Sequence, residues 1–194
     1  RCDIVSDMAW WLDCWIRRFY KKVDRNYFVH DTRAWEVNEE EFYNYRYGGG
    51  TQCSSAFKAI AEQLENKYPP EAYNIYVFYF TDGDNWGGDN GRMLEVINEE
   101  LGPNRVNMIG VSQICSWRYE DSVKHFFDQS IKTGKISDYM RTAYVGPDKP
   151  ADDNFGFGNW GFTPDMTEED RNSQIIDAIK SLLGKEQYVG AEVA

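Results

Sequence analysis

The sequence predicts an α/β fold, a mostly parallel β-sheet flanked by helices. Three observations carry this. Strand-like and helix-like segments alternate along the chain. Residues 75–80 (IYVFYF) form an unbroken apolar and aromatic run without Gly or Pro. A run so short, and so rich in β-branched and aromatic side chains, predicts a strand buried on both faces, at the middle of a helix-covered sheet. A second such run is residues 106–112 (VNMIGVS).

The elements follow in order. Residues 3–22 carry Ile4, Met8, Trp11, Trp15 and Phe19 at helical spacing, a wide stripe that packs on a sheet. Residues 26–30 (NYFVH) predict a short strand. Residues 35–45 (WEVNEEEFYNY) alternate only partly and are acidic in the middle, which predicts an edge strand blunted by charge. A helix is expected from about residue 54 to residue 67, stopping before Pro69-Pro70. The buried strand at 73–80 comes next. Met93, Leu94, Val96, Ile97 and Leu101 mark a helix closed by Gly102-Pro103. The strand at 106–112 precedes a helix over 120–132 and a short strand within 139–145. Residues 168–183 predict a last helix, with Gly184 as its stop.

The chain reads as a single domain over residues 1–194, with an irregular acidic, aromatic insertion at about 146–167 that holds Phe155, Phe157, Trp160 and Phe162. There are no internal repeats. The 194 residues are 42% hydrophobic and 16% aromatic, enough to bury a core. A net charge of −11 argues against nucleic acid and anionic membranes as partners, since both are bound by positive charge. A basic partner or a metal ion is easier to accommodate. No apolar run approaches the roughly 18 residues of a membrane span, and no signal-peptide pattern is expected. The cysteines Cys2, Cys14, Cys53 and Cys115 are scattered, without a CxxC pair. Neither zinc nor a disulfide framework is expected, and reduced thiols in a cytoplasmic protein are. Because the chain opens on Arg1, its natural start is expected upstream.

Two loops carry the candidate chemistry. One is GGGTQCSS, residues 48–55; the other is TDGDNW, residues 81–86, at the carboxyl end of a strand, where open α/β sheets bind ligands. If both lie at one end of the sheet, Thr51 and Asp82 converge, with Asp84 beside them. A hydroxyl and carboxylates are hard oxygen donors suited to Mg²⁺, which keeps several waters. An ion so sparsely held favours a carboxylate from another protein. The plainer readings are a helix N-cap for Thr51, a job Ser54 could do instead, and a turn with Asx hydrogen bonds for Asp82 and Asp84. A calcium EF-hand does not fit, because the twelfth position from Asp82 is Met93.

Taken in order, Trp35-Glu36-Val37, Glu40-Glu41-Phe42, GGGTQCSSA at 48–56, Tyr68-Pro69 and YNIYVFYFTDGDNW at 73–86 resemble the YhbH/YeaH-like family of bacterial proteins, of the von Willebrand factor A-like superfamily. The resemblance covers roughly residues 1–132 well and the remainder loosely. It implies a doubly wound sheet with a metal-ion-dependent adhesion site built from an Asp-x-Ser-x-Ser motif, a Thr and an Asp. The Thr corresponds to Thr51 and the Asp to Asp82. No Asp-x-Ser-x-Ser occurs in these 194 residues; Asp3 and Ser6 have the wrong spacing. The family carries it shortly before the first helix, here before Arg1, so the motif and the sheet's first strand are expected upstream. Without that strand the sheet would hold a gap lined by apolar side chains, for which residues 188–194 are a distant substitute. The resemblance also implies partners, a PrkA-type serine protein kinase or a SpoVR-like protein, in stress or sporulation physiology.

The sequence therefore predicts a protein–protein interaction module, not an enzyme, that binds an acidic partner residue through Mg²⁺ or another divalent ion. One alternative is a haloacid-dehalogenase-like Mg²⁺-dependent phosphatase. There Asp82 would be nucleophile and Asp84 acid/base, Ser112 would bind phosphate, and Asp148 and Asp152 would bind metal. The other is a metal-independent scaffold that uses the aromatic loop 155–162. His30 is a candidate second contact at the site's end of the sheet, or a strand-end histidine bonded to backbone. His125 reads as structural.

Overall fold

The structure is a computed structural model that describes residues 2–45, 51–114, 121–146 and 166–184. It opens on helix α1 (Cys2–Phe19). Ile4, Met8 and Leu12 recur every four residues and are buried. Each such side chain contributes roughly 1.5–3 kcal/mol when fully taken from water.

A hairpin follows, β1 (Tyr27–His30) and β2 (Ala34–Val37), antiparallel, with His30 opposite Ala34. Beyond Val37 the expected edge strand does not continue. Asn38 caps a short helix, α2 (Glu39–Asn44). Its side chain accepts from the Glu41 amide at 2.8 Å, and the Glu41 carboxylate accepts from the Asn38 amide at 2.9 Å. This reciprocal pair satisfies two first-turn donors, and Glu39, Glu40 and Glu41 favour the positive end of the helix dipole. The acid run is thus the first turn of a helix.

Helix α3 (Cys53–Lys67), strand β3 (Tyr76–Thr81), helix α4 (Asn90–Glu100), strand β4 (Met108–Ile114), helix α5 (Val123–Lys132), strand β5 (Met140–Val145) and helix α6 (Glu168–Leu183) complete the order. The strands form a parallel sheet in the order β3-β4-β5, with Phe80, Ser112 and Ala143 in register. Every residue of β4 is buried. The strand expected in the middle, β3, lies at the edge of the described sheet and is buried on alternate residues only. Its Val77, Tyr79 and Thr81 face the core, while Tyr76, Phe78 and Phe80 are half-covered. Dense aromatics mimic a central strand because large rings keep a half-exposed face apolar.

Helices cover both faces of this sheet. On one side Phe57 of α3, Met93 and Ile97 of α4 and Phe127 of α5 pack with Val77, Ile109 and Val111. On the other, α1 and α6 pack with Met108, Ile114, Ala143 and Val145. Gly110 of β4 fits under α6, where an added Cβ would lie 3.2 Å from Leu182. Gly184 ends α6 at φ +66, and the Arg141 guanidinium donates to the Leu182 carbonyl at 2.9 Å. The architecture is α/β with a three-stranded parallel sheet between helices, plus a separate antiparallel hairpin. Most of the expected insertion, residues 147–165, lies outside the described residues, as do 48–50 and 188–194.

Candidate functional site

The first turn of α3 has backbone donors that need acceptors. Its N-cap, Gln52, gives no side-chain bond. Thr51 precedes the cap and Ser54 lies inside the helix, so neither caps it. The acceptors come from the loop after β3. Asn85 Oδ1 accepts from the Cys53 amide at 3.1 Å, and Asp89 Oδ2 accepts from the Ser54 amide at 2.8 Å. The Ser54 hydroxyl also donates to Asp89 Oδ1 at 2.5 Å. Asp89 is 3% exposed. Although it stands at the N-cap of α4, it makes no side-chain bond there. The helix dipole of α3 and the Ser54 hydroxyl stabilise its carboxylate.

These bonds draw the two expected loops together. The Trp86 amide donates to the Thr51 carbonyl at 3.1 Å, and the Gln52 amide donates to the Asp31 carbonyl at 2.9 Å. Cys53 Sγ donates to the Asp84 carbonyl at 3.7 Å. Inside the acid loop, Gly83 (φ +94) turns the chain after β3. Its amide donates to the Thr81 hydroxyl at 3.0 Å, and its carbonyl accepts from Val123 at 2.9 Å. The Asp84 amide donates to Asp82 Oδ1 at 3.3 Å, the expected Asx turn. Thr51 and Asp82 are half-buried, and Asp84 is exposed. Trp86 is 72% exposed, an indole at the rim with little packing of its own.

His30 ends β1 at this same rim. Its ring stacks on Tyr79 with centroids 5.4 Å apart. Burial lowers its pKa, while nearby Asp31, Asp82 and Asp89 push the other way. Its Nδ1 is buried without a hydrogen-bond partner among the described residues. Asp31 sits below the usual carboxylate range, chiefly through the Arg33 amide, which donates to it at 3.0 Å. Burial pushes the Cys53 thiol up to about 12, which keeps it protonated and unreactive. His125 lies in the first turn of α5, its amide donating to the Ser122 hydroxyl at the helix cap.

The donors Thr51, Asp82 and Asp84 suit a hard cation in kind. They do not complete a shell: among the described residues no three His, Cys, Asp or Glu side chains are grouped to hold a metal. Ser112 is wholly buried, on the face toward α1 and α6, and unsuited to greet a phosphate at the rim. Asp148, Asp152 and the aromatic segment 155–162 lie outside the described residues. Asp3 and Ser6 sit in α1. The residues missed from sequence are Asn85 and Asp89. The only available signal was a third acid and an amide shortly after the strand.

The class so defined is an α/β domain with an acidic, loop-built rim at the carboxyl end of its parallel sheet. The chain belongs to the family described as "Protein of unknown function (DUF444)", which matches residues 2–144. It is similar to a UPF0229 protein of Bacillus cereus (strain B4264), 40% identical over 137 residues, which are 71% of this chain and 34% of the relative. UPF0229 proteins of Bacillus cereus (strain G9842) and Bacillus thuringiensis (strain Al Hakam) are each 40% identical over 111 residues, 57% of this chain and 28% of the relative. The chain thus spans about a third of the length of the curated relatives it matches. No solved structure matches it. Among the described residues no helix is long and apolar enough to cross a membrane.

Proposed function

We propose that this chain is a protein-binding domain of von Willebrand A type, whose contact surface is the rim formed by Thr51, Asp82, Asp84 and Trp86. The observation that carries this reading is the hydrogen bond between the Trp86 amide and the Thr51 carbonyl. It supports convergence of the hydroxyl loop and the acid loop at one edge. In this reading Thr51 and Asp82 hold a divalent ion such as Mg²⁺, with water and a partner's carboxylate filling the remaining positions. The sheet is doubly wound, and the exposed indole of Trp86 adds apolar contact beside the ion. The setting is a bacterial cytoplasm in stress or sporulation physiology. The partners to try first are a PrkA-type kinase and a SpoVR-like protein, as the resemblance implies.

The test has two readouts. Mn²⁺ binding is followed by water-proton relaxation, and capture of each purified partner is measured with and without a chelator. Asp82→Ala and Thr51→Ala are expected to weaken both by at least about tenfold, near 1.4 kcal/mol, with urea midpoints unchanged. Capture unaffected by both substitutions and by chelation would sink the proposal. Mg²⁺-dependent hydrolysis of an aryl phosphate, abolished by Asp82→Asn, would favour the phosphatase instead.

A further inference from the structure

At the end of α3 far from the rim, the helix, the open end of the hairpin and the loop before β1 border a cleft. Its volume is about 430 Å³, within the roughly 300–1,000 Å³ of ligand pockets. Tyr68, the C-cap of α3, and Tyr27, the first residue of β1, both line it. Because α3 runs 15 residues from Cys53 at the rim to Lys67, the cleft stands roughly 22 Å away along the helix.

Side-chain bonds hold its walls. Gln63 Nε2 donates to Asn26 Oδ1 and to Glu36 Oε1, each at 3.1 Å. Asn26 Nδ2 donates to the Tyr68 hydroxyl at 2.9 Å. These amides tie β2 and the loop before β1 to α3. The Tyr68 ring meets Tyr73 edge-on with centroids 5.0 Å apart, and Tyr27 packs on Phe42 at 4.9 Å. Burial pushes the Tyr27 phenol up to about 12, so it stays protonated and donates to Glu39 Oε1 at 3.2 Å.

The charge balance of the lining selects a cation. Asp24, Glu36 and Glu39 stand against one base, Arg25. That base is already engaged: its Nη1 donates to Glu39 Oε1 at 2.7 Å and to Asp13 Oδ2 at 3.4 Å. Glu36 meets Lys67 only at 3.6 Å, with both side chains about half exposed, and such pairs contribute about 0–1 kcal/mol. Asp24 is exposed and has no ion pair among the described residues. Carboxylates beside phenol rings suit a guanidinium best, because it forks onto a carboxylate and stacks flat on an aromatic face. The net charge of −11 draws a basic protein toward this surface.

We propose that this cleft binds an arginine side chain of a protein partner, separately from the rim. Asp24 and Glu36 pair with the guanidinium, and Tyr27 and Tyr68 flank its stem. A free polyamine shares the positive charge but lacks the planar fork.

Fluorescence anisotropy tests this, with the full natural polypeptide and a fluorescein-labelled Gly-Gly-Arg-Gly-Gly peptide. Saturable binding tighter than about 1 mM is expected. The same peptide with citrulline, which has the shape without the charge, should bind at least about tenfold more weakly. Glu36→Gln and Asp24→Asn should each weaken the arginine peptide severalfold, and Asp24→Lys, at an exposed position, should abolish binding. Urea midpoints should not move. Asp82→Ala at the rim should leave this affinity unchanged, so this proposal and the rim reading stand or fall separately. Equal binding of the citrulline peptide, or affinity indifferent to Asp24→Lys and Glu36→Gln, would overturn the cleft. Spermidine competing as tightly as unlabelled peptide would overturn the assignment to a protein side chain.

Discussion

Replacing Asp89 by alanine tests how α3 and the acid loop are joined. The carboxylate accepts the Ser54 amide at 2.8 Å and the Ser54 hydroxyl at 2.5 Å, and both residues are buried. Hydrogen bonds to a charged group contribute about 1.5–3 kcal/mol each, and removing the acceptor strands two buried donors. Asp89→Ala is therefore expected to cost about 3–5 kcal/mol, a large share of the roughly 5–15 kcal/mol that holds a domain together. Ser54→Ala keeps the amide bond and loses only the hydroxyl's, so it should cost about half as much. The double variant should cost clearly less than the sum of the singles, because the residues share one interaction. Urea unfolding of the four proteins, followed by circular dichroism, reads midpoint and slope together. A cost below about 1 kcal/mol for Asp89→Ala, or strict additivity, would refute the account in which this carboxylate caps α3.

Two further predictions concern the core. Burial lowers the His30 pKa, so between about 6.5 and the folded value the unfolded chain binds more protons. Its contribution to stability is complete above about pH 6.5 and is lost as pH falls through the folded pKa; Asp31, itself shifted down, loses its own only in the carboxylate range. The fall in urea midpoint from pH 7.5 to 5.5 should shrink in His30→Gln, and an identical fall would contradict the assignment. Gly110→Ala sets a Cβ 3.2 Å from both Leu182 Cδ2 and Phe78 Cδ1 and should cost about 1–3 kcal/mol by thermal melting. Gly87→Ala, with nothing within 4 Å, should be neutral, and equal effects would contradict the packing argument.

Local signals were readable where one stretch of chain decides the outcome. The range of α6 follows from its apolar stripe between the Thr167 cap and Gly184. α2 was equally encoded, as Asn38-x-x-Glu41, but the acid run hid the capping box behind an edge-strand pattern. What depends on distant partners was not readable. β3 has the composition of a central strand, and only its pairing, which among the described residues is with β4 alone, puts it at the edge of the described sheet. At the rim, Thr51 and Asp82 stood out because each follows a sharp local change of composition. Asp89 did not, since its partner Ser54 is 35 positions away and its own neighbourhood suggests an ordinary cap for α4. Asn85 was lost for the same reason.

The crossed caps at the start of α3 have a mechanical meaning. With Asn85 and Asp89 fastened to its first turn, and Thr51 tied back to Trp86, the acid loop cannot swing without dragging the helix. A molecule that pulls on the Asp82 loop therefore loads Phe57 and the whole aromatic layer behind it. What looks like a surface turn is rigidly coupled to the interior.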